Sequence, residues 1–290
     1  MNKSKNLYAN CGLLFSVTMW SSTIIIIKDN VETLDPLVLI TYRFFIAAIP
    51  LIFFLLYRKK NVFQNIKEGI FLGLLLWIIN ASQAIGLIFT TATNSGFIAG
   101  LFVVFVPIFS FIFLKKFPAI NKIIGVIVSI IGLWILTGGL KEINKGDIIT
   151  ILTAMASASH IIYTGKYIKN RDPLVLNLQQ FFIVALLSLI TGLITDNNFT
   201  NISIQNTVSI LYLAVFATCA AHVIQFLSQK YVTPIRTALI FALEPVLTAL
   251  FAWVFGSERL HSHQIIGGAF IFLAIIVSEI PLRNKILSNK

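Results

Sequence analysis

The sequence predicts an all-α membrane protein: ten transmembrane helices built as two inverted five-helix repeats. Three observations predict it. The 290 residues are 57% hydrophobic and only 11% charged, with a mean hydropathy of +0.90, where a soluble domain carries about 25% charged residues. Ten apolar runs of about 20 residues, the length that crosses a bilayer as a helix, fill the chain. A motif in the first half returns in the second with opposite flanking charge. Too few polar residues are present to cover a soluble core of this size, which disfavours soluble enzymes, nucleic-acid binders and disordered chains together. Cys11 and Cys219 lie inside apolar runs and support neither a disulfide framework nor a cysteine metal site.

The runs cover residues 8–27, 37–57, 68–89, 95–114, 121–138, 148–166, 175–195, 207–228, 236–255 and 262–281. Span one follows Lys3 and Lys5 and mimics a signal peptide, but its apolar run is too long and lacks a cleavage site of small residues. Spans two and seven open on Asp35-Pro36 and Asp172-Pro173, each an N-cap followed by a first-turn proline. Span three contains Gly69-x-x-x-Gly73 and span four contains Gly96-x-x-x-Gly100, spacings that let helices approach closely without requiring a dimer. Proline 107 predicts a break in span four, and Pro245 one in span nine. The runs are continuous rather than alternating, so a β-barrel is excluded. Connections are short throughout, and the halves, 1–141 and 142–290, join near residues 139–147.

Lysine and arginine orient the chain, because cytoplasmic loops collect them. With the N-terminus inside, 17 of the 22 fall in inside segments and 4 outside (Lys28, Lys141, Lys145 and Arg259), while Arg43 lies within a span. Both termini are therefore expected in the cytoplasm. The same distribution explains the net charge of +11 as a topology signal; scattered over six short segments, it is no nucleic-acid footprint.

Residues 35–39 (Asp-Pro-Leu-Val-Leu), followed by Phe44-Phe45-Ile46, recur 137 positions later as residues 172–176, followed by Phe181-Phe182-Ile183. A second register, offset 142, relates Asn80 to His222, Gln83 to Gln225, and Ile123-Ile124-Gly125 to Ile265-Ile266-Gly267. Five spans per half is odd, so the second half is expected upside down. The charges agree: the loop before Pro36 sums to −2 and the loop before Pro173 to +2. Inverted repeats are typical of secondary transporters, whose substrate path runs between the repeats near the midplane.

Several stretches resemble the drug/metabolite transporter superfamily in its branch of two EamA-type halves. They are residues 90–100 leading to Pro107; the run Ala238-Leu239-Ile240-Phe241-Ala242-Leu243-Glu244-Pro245; Gly256-Ser257-Glu258-Arg259-Leu260 with Gly267-Gly268; and Arg43-Phe44. The resemblance spans essentially the whole chain. It implies ten spans, termini inside and a central cavity for an amino acid, sugar, nucleotide-linked metabolite or drug. The first half departs from the pattern. Lys116 stands where the second half has Glu258, and Pro107 lies 18 residues before Gly125 against 22 for Pro245 and Gly267, a difference of about one helical turn.

Polar groups inside hydrocarbon each need a reason. Arg43 and Glu244 are the formal charges well within spans. In the functional reading Arg43 attracts an anionic substrate group and Glu244 takes a proton or cation. In the bland one Arg43 snorkels and Glu244 bonds near the helix broken by Pro245. Asn80 and Gln83 share a helix face, as do His222 and Gln225, so the four are expected to line the cavity; the alternative is packing glue. Gln179 and Gln180, mates of Tyr42 and Arg43, form a polar uncharged patch, and Trp20 is a candidate stacking wall. His160 joins His222 as a candidate for proton coupling. His261-x-His263 has no third ligand nearby and reads as a solvated loop, so no metal is expected.

No cofactor motif is present, and without G-x-x-x-x-G-K-[S/T] ATP is not the direct driver. Ser95-Gly96 and His222 offer the residue types of a rhomboid-like protease without its glycine context, so no enzyme is expected. The expected function is secondary transport of an amino acid or amino-acid-like metabolite, with proton-coupled drug efflux as the alternative. The partners are a small solute and the lipid bilayer; a homodimer stays open. The Ile-, Asn- and Lys-rich usage points to an AT-rich bacterium and its cytoplasmic membrane.

Overall fold

The repeated Asp-Pro pairs start helices as their chemistry dictates. Asp35 Oδ1 accepts from Leu37 N at 2.7 Å, and Asp172 Oδ1 from Leu174 N at 3.0 Å, each with proline in the first turn. These details come from a computed structural model that describes residues 3–31, 33–90, 92–115, 118–139, 143–200, 202–255 and 261–280. Helices account for most of them, and no strand occurs among the described residues. In chain order they are α1 (Lys3–Ser21), α2 (Thr23–Val31), α3 (Pro36–Tyr57), α4 (Ile66–Phe89), α5 (Ala92–Gly100), α6 (Phe102–Leu114), α7 (Ile120–Thr137), α8 (Lys145–Tyr167), α9 (Pro173–Ile194), α10 (Ile204–Tyr212), a π-helical stretch (Leu213–Ala220), α11 (Ala221–Gln229), α12 (Pro234–Phe241), α13 (Glu244–Phe255) and α14 (Ser262–Glu279).

Among the described residues eight helical stretches are long and apolar enough to span a membrane, and a ninth, Ser262–Ser278, is shorter. Predicted span one is not among the eight. Its run divides at Ser22 into α1 and α2, and α1 carries Asn6, Asn10, Ser16 and Thr18, which lower its hydropathy. Ser16 Oγ donates across to Ala221 O at 2.8 Å, so this helix bonds to protein rather than presenting an apolar surface all round.

The break predicted at Pro107 falls elsewhere. Proline 107 lies inside α6, and the interruption sits at Leu101, directly after Gly100. Glycine is a poor helix former, and Leu133 packs 2.8 Å from where a Cβ on Gly100 would stand. The second-half break does fall at its proline: α12 ends at Phe241, residues 242–243 turn, and α13 restarts at Glu244-Pro245. There Pro245 loses no hydrogen bond, and Glu244 meets the positive end of the new helix. Lys116, residues 140–142 at the junction of the halves, and Gly256–Leu260 lie outside the described residues, and with them the predicted contrast of Lys116 and Glu258.

The main packed pairs are α7 with α14, α4 with α8, α3 with α9, and α1 with α11. On α7 and α14, Gly125 lies against Ala274 and Ser278, while Gly267 lies against Leu136; adding 142 to the first half of each pair exchanges them. Phe44 packs edge-on to Phe181 at 5.7 Å, and Phe45 to Phe182 at 6.4 Å, so motif residues meet their own counterparts. Gly69 and Gly73 face Gln179, Gln180 and Ile183 of α9, which uses the small-residue spacing inside one chain.

Contacts define two ends. At the basic end Lys60 pairs with Asp172 at 3.2 Å and Arg171 with Glu68 at 2.5 Å. At the other, Tyr42 Oη donates to Phe199 O at 2.8 Å, and Asn206 Nδ2 to Thr33 Oγ1 at 3.3 Å.

Candidate functional site

Arg43 sits two turns into α3, 6% exposed. Its Nε donates to Thr218 Oγ1 at 2.5 Å, and its guanidinium carbon lies 5.4 Å from the Phe44 ring centroid. No carboxylate among the described residues comes within 4.0 Å of it. Thr218 belongs to the π-helical stretch, a widened geometry that often marks functional sites. It joins two predicted residues: its hydroxyl accepts from Arg43, and its carbonyl accepts from His222 Nδ1 at 3.0 Å.

Aromatic rings enclose His222. Trp20 is 5.2 Å away, Phe181 5.6 Å and Phe44 6.4 Å, centroid to centroid. Trp20 Nε1 donates to Ala217 O at 2.8 Å, and its ring meets Phe241 edge-on at 5.0 Å. Trp20 is thus a post between the π-helical stretch and the end of α12. Beyond it Ser21 Oγ donates to Glu244 O at 3.1 Å, which ties the half-buried Glu244 to the same turn of α1.

His160 and Gln180 form a second buried group. His160 Nε2 donates to Gln180 Oε1 at 2.9 Å, and Gln180 Nε2 donates to Asn177 Oδ1 at 2.8 Å. This network carries no formal charge of its own. Gln225 lies one turn from His222 toward the basic end, 2% exposed with Oε1 unpartnered. It has company there: Asn6 and Asn10 of α1, Thr164 of α8 and Gln229 of α11 also hold buried polar atoms without partners.

Other predicted residues do not join Arg43. Gln179 turns to the basic end, where Nε2 donates to Val62 O at 2.7 Å and Gln64 O at 2.9 Å and fastens the loop before α4. Asn80 Nδ2 bonds back to Leu76 O at 2.8 Å within its own helix, and Asn80 and Gln83 are both half-buried. His261 and His263 stack at 5.5 Å at the exposed start of α14. Sequence reasoning missed Thr218 and Asn177. The available signal was spacing: Thr218 is four before His222 and Asn177 three before Gln180, the separations at which helical side chains meet.

Chemically, this is a buried cation against aromatic walls, with the backbone of Glu244 tied to α1 one residue beyond the tryptophan. Such a guanidinium binds carboxylates and phosphates in a planar, two-pronged way.

Comparison with known proteins follows the same lines. The model of the EamA-like transporter family matches the chain twice, over residues 7–138 and 144–279. An uncharacterized transporter of Archaeoglobus fulgidus is 32% identical over 273 residues, 94% of this chain and 86% of that one. The uncharacterized inner membrane transporter YedA of Escherichia coli is 24% identical over 280 residues, 92% and 90% of the two chains. A solved crystal structure superimposes with a TM-score of 0.79 at 17% identity, covering 96% of this chain and 97% of that one, a likeness of fold.

Proposed function

This chain belongs to the EamA-like transporter family, and from that premise we propose that it is a secondary carrier for an amino acid or amino-acid-like metabolite. It is a multi-pass membrane protein, and we read it as ten spans in two inverted halves, residues 1–141 and 142–290, with both termini cytoplasmic. The two family matches support the division. So do the exchanged contacts of Gly125 with Ser278 and Gly267 with Leu136, since a pseudo-twofold axis makes each contact twice. The halves rock about a central site and expose it to one side at a time.

The observation that carries the substrate class is Arg43: a buried guanidinium answered by one hydroxyl. A charge so placed is costly until an anion pairs with it. Glu244, across Trp20, is suited to a cationic group or a proton. Together they fit a zwitterion. Trp20, Phe44, Phe181 and Phe241 favour a second reading, efflux of hydrophobic cations drawn by Glu244.

Uptake by the purified carrier in liposomes, tested with each L-amino acid and with hydrophobic cations, separates the two. Amino-acid uptake lost in both Arg43→Ala and Glu244→Gln supports the first reading. Cation transport that depends on Glu244 alone moves the assignment to efflux. Normal transport by both variants removes the site assignment.

A further inference from the structure

Matched ties between the halves hold the two ends of the molecule. At the basic end Gln179 Nε2 donates to Val62 O at 2.7 Å; at the other, Tyr42 Oη donates to Phe199 O at 2.8 Å. Gln179 lies 137 positions after Tyr42, and Phe199 lies 137 after Val62. The same bond is therefore made twice, once at each end.

A second tie joins the third residue of the following helix to a residue just ahead of an Asp-Pro pair. On α4 the third residue is Glu68, whose Oε1 accepts from Arg171 Nε at 2.9 Å and from Nη2 at 2.5 Å. On α10 it is Asn206, whose Nδ2 donates to Thr33 Oγ1 at 3.3 Å. An apolar plug lies one turn inside each tie. Leu72, four residues after Glu68, shares a buried cluster with Leu176, four after Asp172. Ile210, four after Asn206, shares another with Leu39, four after Asp35.

The plan is the same at both ends and the chemistry is not. At the basic end the tie is ionic, and Lys60 adds a second ion pair with Asp172 at 3.2 Å. The side chains of Arg171 and Glu68 are 30% and 20% exposed, so water screens them only in part. At the other end the tie is neutral and long, and a cavity of about 330 Å³ borders it at Thr33 and Asn206. Hydrogen bonds between ionised groups are stronger than those between neutral ones. Opening the basic end separates opposite charges; opening the other releases an amide and a hydroxyl to water.

We propose that the Glu68–Arg171 and Lys60–Asp172 pairs are a latch that keeps the basic end shut, so that the opposite end is the one that opens first. The latch rests on the reading of two rocking halves given above; access to the plugs tests it without any solute.

The reporters are Leu176→Cys in the basic-end plug and Leu39→Cys in the other, each in the full chain carrying Cys11→Ser and Cys219→Ser. Leu72→Cys and Ile210→Cys replace them if either fails to fold. Each thiol is alkylated with N-ethylmaleimide in detergent, and its rate is divided by that of the same protein in SDS. A buried thiol reacts when its surroundings open, so the rate follows the open population. Leu39→Cys is expected to react faster than Leu176→Cys. Glu68→Gln raises the Leu176→Cys rate about fivefold, the factor for a partly exposed ion pair, and does not raise the Leu39→Cys rate. Glu68→Arg combined with Arg171→Glu returns the rate to that of the parent. Should the exchanged pair fail to fold, Lys60→Gln, at an exposed side chain, breaks the second pair and raises the Leu176→Cys rate alone, about twofold. The proposal is overturned if Glu68→Gln leaves the Leu176→Cys rate unchanged, or if the folded exchanged pair reacts as fast as Glu68→Gln. It is overturned too if both reporters rise together, which is a loss of stability, or if Leu176→Cys is the faster in the parent. Rates that respond as expected without uptake of any solute into liposomes overturn the transport reading and leave the latch standing.

Discussion

Arg43 and Gln180 stand at matched positions, 137 residues apart, and their neighbours Phe44 and Phe181 touch. Both side chains are buried, at 6% and 0% exposed, yet their surroundings differ. The Gln180 amide is answered on both sides, by His160 and by Asn177. Arg43 has one hydroxyl partner for a full charge. One half thus holds a completed neutral network, the other an open charge. A completed network rigidifies its part of the core. An open charge in a low dielectric draws a counter-ion. On the proposed reading, the pair puts stability on α9 and solute recognition on α3.

The largest expected effect comes from making the two positions alike. Arg43→Gln removes the charge and leaves an amide in each half. Uptake into liposomes is expected to fall by about two orders of magnitude, as for loss of a buried charge-assisted contact, with gel filtration unchanged. Uptake near the wild-type rate would show that the contrast has no functional content. A smaller effect comes from the other side. Gln180→Leu leaves His160 Nε2 and Asn177 Oδ1 without their partners and is expected to lower stability by about 1–3 kcal/mol. It shows as a lower melting temperature, while the folded protein keeps its affinity for solute; a lost affinity with unchanged melting would put Gln180 in the site instead. The smallest effect is an equality. Asp35→Ala and Asp172→Ala remove equivalent caps and should each cost about 1 kcal/mol, with up to about 1 kcal/mol more at Asp172 for its exposed pair with Lys60, so a larger difference in melting between them would break the likeness of the halves.

The caps were legible because an Asp-Pro pair acts on its own backbone two residues away. The burial of Arg43 followed from its place in an apolar run. Thr218 was not legible as its partner: the π-helical stretch contains neither glycine nor proline to announce it. Adjacent glutamines make the same point. Gln179 and Gln180 carry identical chemistry, but about 100° of helix rotation sends one to the carbonyls of Val62 and Gln64 and the other to His160. The break in the fourth predicted span was misplaced for a related reason. A proline permits a break without compelling one, and the interruption came where Gly100 meets Leu133.

By itself the sequence determined the class of protein, most of its apolar helices, the Asp-Pro starts of α3 and α9 and the internal repeat of its motifs. All of these are sums or patterns over neighbouring residues. The tertiary structure alone decided which polar groups meet: Arg43 with Thr218 across 175 positions, Trp20 with Ala217 across 197. Hydropathy records how badly each group fits in lipid. The partner that relieves the misfit is chosen by helix rotation and packing, which no local pattern contains.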